Sequence, residues 1–248
     1  MRATLSILVT GGSSGIGRAI AERLAKPGSD VFIAYHSNDD AASEAAEKIR
    51  QRGASAHLLK ADMGSLGDIR MIIDRIRQHT DHLDVIVHAA ATAISGRTID
   101  IPGEELNGAI ARNGTSIVHV AREALPLLRP GSSIIYVTSK GSERALKDYG
   151  ALGGPKALGE HMMRYLATEL AGRGVRVNSI SPGPLETEAR RQMFPDTWKT
   201  RLADQIALNP SGRGLAFDDI ANIVELMVDP RFTMVQGQVI TIDGGLTL

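Results

Sequence analysis

A short apolar run, Leu5–Thr10, passes without interruption into Thr10-Gly11-Gly12-Ser13-Ser14-Gly15-Ile16-Gly17 and then into a segment of helical period, Gly15–Ala25. No other stretch restricts the fold so strongly. A strand that turns through glycine directly into a helix leaves the first helical N–H groups and the positive end of the helix dipole at the turn. Glycines there let the backbone come close to a ligand, so the turn suits a pyrophosphate. The arrangement also fixes the neighbourhood, because the helix must pack back on the strand it has just left.

The rest of the chain repeats that rhythm. Strand-like runs fall at Leu5–Thr10, Asp30–Tyr35, Ala56–Lys60, Leu83–Val87, Ser133–Thr138, Arg176–Ile180 and Gln238–Ile242. They are nearly continuous in Val, Ile, Leu and Ala, as strands covered on both faces must be. Between them lie helical patterns at Gly15–Ala25, Asp39–Arg52, Leu66–Gln78, Glu104–Leu128, Lys156–Ala171 and Asp218–Val228. Alternation of this kind predicts an α/β fold in three layers, a doubly wound parallel sheet of the Rossmann type with right-handed crossovers. The 248 residues form one such domain, 1–248, and the 4% aromatic content makes its core aliphatic. From Pro182 to Leu215 the rhythm lapses, Pro, Gly and charged residues accumulate, and the only Trp (Trp198) occurs. Such an insertion reads as a substrate loop or lid, the alternative being a surface helical excursion.

Charge excludes several classes of function. Lys plus Arg and Asp plus Glu are 28 each, so no net field draws the chain to nucleic acid or a membrane surface. There is no Cys, hence no thiolate metal site or thiol nucleophile, and no paired-His spacing suggests a metal. Arg2 is followed by a short apolar stretch without a small-residue cleavage site, and no apolar run would span a bilayer; a cytoplasmic protein is expected. His57, His79 and His82 read as surface residues, and His161-Met162-Met163 as the inner side of a packed helix. His88 is either a cofactor contact or a satisfied core residue, and the charges at Arg70–Arg77 and Arg190–Arg191 read as solvated faces.

The spacing T-G-x-x-x-G-x-G resembles that of the short-chain dehydrogenase/reductase family, and further pieces agree along the chain. Asp62 matches the family Asp that meets the adenine; His88-Ala89-Ala90-Ala91 stands in place of Asn-Asn-Ala-Gly, keeping the small residues. Asn113 matches the helix Asn that holds a water near the catalytic Lys. Ser181-Pro182-Gly183 resembles the turn beside the nicotinamide, and Gly237-Gln238 with Asp243-Gly244-Gly245 resembles the last strand. The resemblance implies a nicotinamide dinucleotide held by Gly11, Ser13, Ser14, Gly15, Ile16, Gly17, Asp62, Met63, Ala89, Ala90, Lys156, Pro182, Gly183, Leu185 and Thr187. The second strand ends Ala34-Tyr35-His36-Ser37-Asn38, without the carboxylate that binds both ribose hydroxyls in NAD enzymes. His36, Ser37 and Asn38 are there to donate to a 2′-phosphate, which favours NADPH, with NADH the alternative because Asp39 and Asp40 follow.

The catalytic register is unusual. The family places a Ser, a Tyr thirteen residues on and a Lys four after that; from Ser139 this count reaches Leu152 and Lys156. An isobutyl group cannot transfer a proton. Tyr149-x6-Lys156 instead resembles the enoyl-acyl-carrier-protein reductases of the same family, as does Gly183-Pro184-Leu185-Glu186-Thr187-Glu188-Ala189. Ser139 stands where some of those branches carry a second Tyr. Gly153, Gly154 and Pro155 predict a helix starting near them, with Pro in the first turn and Tyr149 on the entering loop. The resemblance implies that Tyr149 stabilises an enolate, Lys156 binds the nicotinamide ribose, Asn113 supports a relay water, Ser139 is secondary and Thr187 holds the carboxamide. Implied partners are a small-molecule acyl thioester, on an acyl carrier protein or coenzyme A, with basic residues near 190–191 available to a phosphopantetheine or carrier. A homotetramer through the helices near 104–128 and 156–171 and the last strand is implied as well. Ketone reduction and a non-catalytic nucleotide-binding role are the competing readings.

Overall fold

The computed structural model describes residues 4–248, so Arg2 lies outside the described residues. Seven strands, β1 (Ser6–Thr10), β2 (Asp30–Tyr35), β3 (Ser55–Lys60), β4 (Leu83–His88), β5 (Leu128–Val137), β6 (Arg176–Pro182) and β7 (Val239–Ile242), lie side by side in the order β3-β2-β1-β4-β5-β6-β7. Every neighbouring pair is parallel. The order reverses between β1 and β4, which opens a crevice at the carboxyl ends of those strands.

Side-chain alternation along the strands builds two separate cores. Leu8, Phe32, Ile86, Ile134 and Tyr136 point to one face. There they meet α3 (Leu66–Arg77) through Ile69, Ile72, Ile73 and Ile76, α5 (Ser116–Ala124) through Ile117 and Val120, and α6 (Gly150–Ala171) through Met163 and Leu166. Ile7, Val9, Val31, Ile33, Val85, Val87 and Ile135 point to the other, against α1 (Gly15–Leu24), α2 (Asp39–Gln51) and α9 (Phe217–Met227). Period two on the strands and apolar stripes on the helices account for the three layers.

The structure departs from the sequence reading in three places. The single helix expected over 104–128 is two, α4 (Gly103–Ile110) and α5, joined by a π-turn at Ala111–Thr115 and followed by a 3-10 turn, with β5 beginning early at Leu128. The wide turn is anchored at Asn113, whose side chain accepts from the Thr92 N–H (2.8 Å) and donates to the Thr92 carbonyl (2.8 Å). Periodicity alone does not reveal one extra residue per turn. Next, α6 starts at Gly150 rather than near Gly153, with Tyr149 as its N-cap residue and Pro155 inside it. Last, the segment 182–215 carries two helices, α7 (Glu188–Met193) and α8 (Trp198–Ala207). Among the described residues no helix is long and apolar enough to cross a membrane.

Candidate active site

The turn after β1 is held by contacts that only glycine permits. Gly11 has φ +67°, and a Cβ there would lie 2.8 Å from the Ala90 backbone; a Cβ on Gly17 would run into the Gly11 carbonyl. Ala89 N–H donates to the Thr10 carbonyl (3.1 Å) and Ala90 N–H to the Thr10 hydroxyl (3.3 Å). The small residues after His88 are therefore a steric condition of this turn. His88 itself is a satisfied core residue, its ring nitrogens paired with Thr10 Oγ1 (2.9 Å) and Ser116 Oγ (2.7 Å). Complete burial, with the Lys156 charge nearby, brings its pKa down to about 3, so the ring stays neutral.

From this turn a cavity of about 830 Å³ runs across the carboxyl ends of the strands. Its wall includes Gly11, Ser13, Ser14, Gly15, Ile16, Gly17, His36, Ser37, Asn38, Asp62, Met63, Ala89, Ala90, Ser139, Tyr149, Lys156, Pro182, Gly183, Leu185 and Thr187. Asn113 is the exception among the residues singled out, being fully buried behind that wall. Its carbonyl accepts a short hydrogen bond from the Tyr136 hydroxyl, so a water on that carbonyl would have to share it.

At the outer end, Asn38 caps α2 by accepting from Ala41 N–H (2.9 Å). Asp39, the acid that follows, is held by Lys60 Nζ (2.8 and 3.0 Å) and by the Tyr35 hydroxyl (2.8 Å). Those two donors keep its carboxyl below the usual range. Asp62 is bound by both arms of Arg112 (2.8 and 2.7 Å) and by Gly64 N–H (2.8 Å), and the guanidinium likewise depresses its pKa. Arg112 lines the cavity too and carried no signal in the sequence.

At the inner end, two glycines make a seat for Tyr149. A Cβ on Gly141 would overlap the Tyr149 ring, and one on Gly153 would meet the Gly141 carbonyl. Asp148, just before it, is the only described non-glycine residue in the left-handed region, at φ 60°, and its carbonyl accepts from Gly96 N–H (3.1 Å). A non-glycine residue in that region carries a backbone cost of order 1–3 kcal/mol, and here it stands immediately before the phenol. Burial pushes the Tyr149 pKa up, against the opposing pull of the Ser139 hydroxyl and the Arg190 charge. Ser139 Oγ is buried and, apart from that influence on the phenol, makes no well-formed hydrogen bond to another group.

Lys156 is 3% exposed and donates to the Val137 carbonyl (2.7 Å), with its Nζ 4.7 Å from the centre of the Tyr136 ring. Burial brings its pKa down to about 7, while Glu160, one helical turn on, pulls it up. Glu160 Oε1 accepts from Thr138 Oγ1 (2.6 Å) and, in a short bond, from Ser142, tying α6 to the loop that carries Ser139. Its i, i+4 spacing from Lys156 was visible in the sequence, but its burial was not. Leu152, at the position that the Y-x3-K register would give to Tyr, is 5% exposed and also lines the cavity. The wall is completed by Phe194, Arg190 and Arg201 from the 182–215 segment. Thr187 caps α7 by accepting from Arg190 N–H (3.1 Å).

A glycine-cradled crevice at the strand reversal, with a phenol and a buried lysine across from it, defines a dinucleotide-binding oxidoreductase site. The family model described as enoyl-(acyl carrier protein) reductase matches residues 11–247. The chain is similar to the 1-cyclohexenylcarbonyl-CoA reductase of Streptomyces collinus, at 28% identity over 97% of this chain and 86% of that one. It is equally similar, 28% over 96% and 94%, to the versicolorin reductase of Emericella nidulans. Among solved structures, a short-chain dehydrogenase of Burkholderia cenocepacia in complex with NADP superposes with a TM-score of 0.89 at 28% identity, covering 99% and 98% of the two chains. The chain belongs to the short-chain dehydrogenase/reductase family.

Proposed function

We propose that this reductase uses NADPH to saturate the carbon–carbon double bond of an enoyl thioester. The observation that carries the reading is the placement of the phenol: Tyr149 faces the cavity that Lys156 lines, while the ordinary tyrosine position holds Leu152. The residues around the cavity fit the cofactor, since the glycine turn and Ala90 leave room for a pyrophosphate and Asp39 is neutralised beside the 2′-phosphate position.

Bound NADPH supplies a hydride for the β-carbon of the substrate. The electron pair of the double bond then moves toward the thioester, and negative charge gathers on its oxygen, three bonds from that carbon. Tyr149 O–H donates a hydrogen bond to that oxygen, and Lys156, when protonated, adds positive charge to a water-poor site. One such donor contributes on the order of 2.7–4 kcal/mol to the barrier. A proton from water finishes the α-carbon. A hydroxyl set three residues upstream of the ordinary register suits an oxygen displaced from the carbon that takes the hydride. The carrier is an acyl carrier protein or coenzyme A, and the 182–215 segment closes over the acyl group.

The Ser139 hydroxyl, buried beside Tyr149, favours one second reading, reduction of a carbonyl held by that pair. The purified protein with NADPH separates the two when offered a trans-2-enoyl thioester and, separately, a β-ketoacyl thioester. Oxidation of NADPH by the enoyl substrate alone is expected; turnover of the ketone alone would overturn the proposal.

A further inference from the structure

Arg190 and Arg191 are sequence neighbours in α7 with opposite fates. Arg191 points outward, paired with Glu186 (2.6 Å) and Glu188 (3.4 Å), and does not line the cavity. Arg190 lines the cavity, with one arm on the Gln205 side-chain oxygen (2.6 Å) and a buried Nε that has no acceptor. Arg201, from α8, lines the same wall. Its guanidinium lies 4.1 Å, and that of Arg190 6.0 Å, from the centre of one ring, Phe194. Among the described residues, neither arginine has a carboxylate within ion-pair distance.

Two cations beside each other at a cavity wall without a counter-ion are an unfavourable arrangement. Burial and the like charge of Arg201 both lower the Arg190 pKa. The carboxylates that share this cavity are engaged elsewhere. Asp62 holds Arg112, Glu188 holds Arg191 and Gln192, and Asp243 accepts from Thr247 and Gly245 N–H. What remains is a planar donor fork with an unused buried N–H, the geometry that carboxylates and phosphates satisfy in pairs.

We infer that Arg190 and Arg201 form a subsite for an anionic group borne by the substrate, a carboxylate on the acyl skeleton itself. Distance decides its source. Phe194 stacks on Tyr149 with ring centres 6.2 Å apart, so one ring separates both guanidinium groups from the phenol that the proposed reaction puts on the thioester carbonyl. A carrier's phosphate is separated from the thioester by the whole pantetheine arm and would lie well beyond them. This subsite rests on the reading of the cavity as a reductase site, but it does not depend on which double bond is reduced.

The test is binding to the NADP⁺-saturated protein, read by calorimetry, with glutarate, its dimethyl ester, phosphopantetheine and inorganic phosphate as probes. Glutarate is expected to bind at least about tenfold more tightly than the diester, with the preference removed in Arg201→Gln and in Arg190→Gln. Equal affinity for acid and ester, or glutarate affinity retained in the Arg190→Gln/Arg201→Gln double variant, would overturn the subsite. Tight binding of phosphopantetheine or inorganic phosphate with no glutarate binding would also overturn it, by assigning the arginines to the carrier. NADPH titration and thermal unfolding of each variant verify that the cofactor half is intact. In turnover, the kcat/KM ratio between an enoyl thioester ending in a carboxylate and its methyl ester should fall by a similar factor in Arg201→Gln. Glutarate affinity without any enoyl turnover would leave the subsite standing and remove the double-bond reading.

Discussion

The two ends of the cavity are constructed in different ways. At the cofactor end the shape comes from backbone: Gly11, Gly17 and the Ala90 main chain pass so close that a single Cβ does not fit. At the substrate end the shape comes from side chains on loops and short helices: Tyr149 in its glycine seat, Phe194 stacked on it, and Arg190 and Arg201 around the ring. A backbone site offers few tolerated changes and one ligand; a side-chain site can be rewritten residue by residue. This is how relatives that share a fold over nearly all of their length carry names as different as a cyclohexenylcarbonyl-CoA reductase and a versicolorin reductase.

That contrast can be broken most sharply at the turn. Gly11→Val adds a branched side chain at φ +67° against the Ala90 backbone, and should cost roughly 3 kcal/mol of stability and abolish NADPH binding. Urea unfolding and NADPH fluorescence titration read both; near-normal values would show that the turn is not rigid. The substrate end should respond without disturbing the cofactor. Tyr149→Phe is expected to lower kcat about 10²–10³-fold while leaving NADPH affinity within about twofold. Wild-type turnover would remove Tyr149 from the mechanism.

A subtler separation is by pH. With the Lys156 pKa near 7, the cation fades as pH rises through that value, and a step that needs it should decline on the alkaline side. Glu160 holds the proton on Lys156, so Glu160→Gln should move that decline to lower pH, whereas mere loosening of the fold would reduce kcat at all pH values alike. A limb that stays in place would show that the charge of Lys156 is not used. The smallest effect is expected at Asp148→Gly. It relieves the left-handed backbone before Tyr149 but frees the unfolded chain, for a net change within about 1 kcal/mol by thermal unfolding. A loss of several kcal/mol would mean that the Asp148 side chain does more than tolerate the turn.

The fold around the glycine turn was nearly all legible in advance, since strand runs, glycine spacing and crossovers are local patterns with a fixed geometric meaning. The strands and the turn sit within a residue or two of where the sequence placed them, apart from the early start of β5 at Leu128. Legibility ended where a result depends on contacts far apart in the chain. The π-turn at Asn113 is fixed by Thr92, the start of α6 by the packing of Gly141 and Gly153 round a phenol, and the Arg112–Asp62 pair joins residues 50 positions apart. Arg190 and Arg191 make the same point within one dipeptide. Nothing in their spacing says which faces the cavity, because that is decided by α8 lying alongside.

Lys60 ends the outermost strand of the sheet, with its ammonium on Asp39. A phosphorylated ribose beyond the second strand would therefore meet an aspartate whose charge is already matched by a cation. The charge of that aspartate is answered from a neighbouring strand rather than from the binding turn itself.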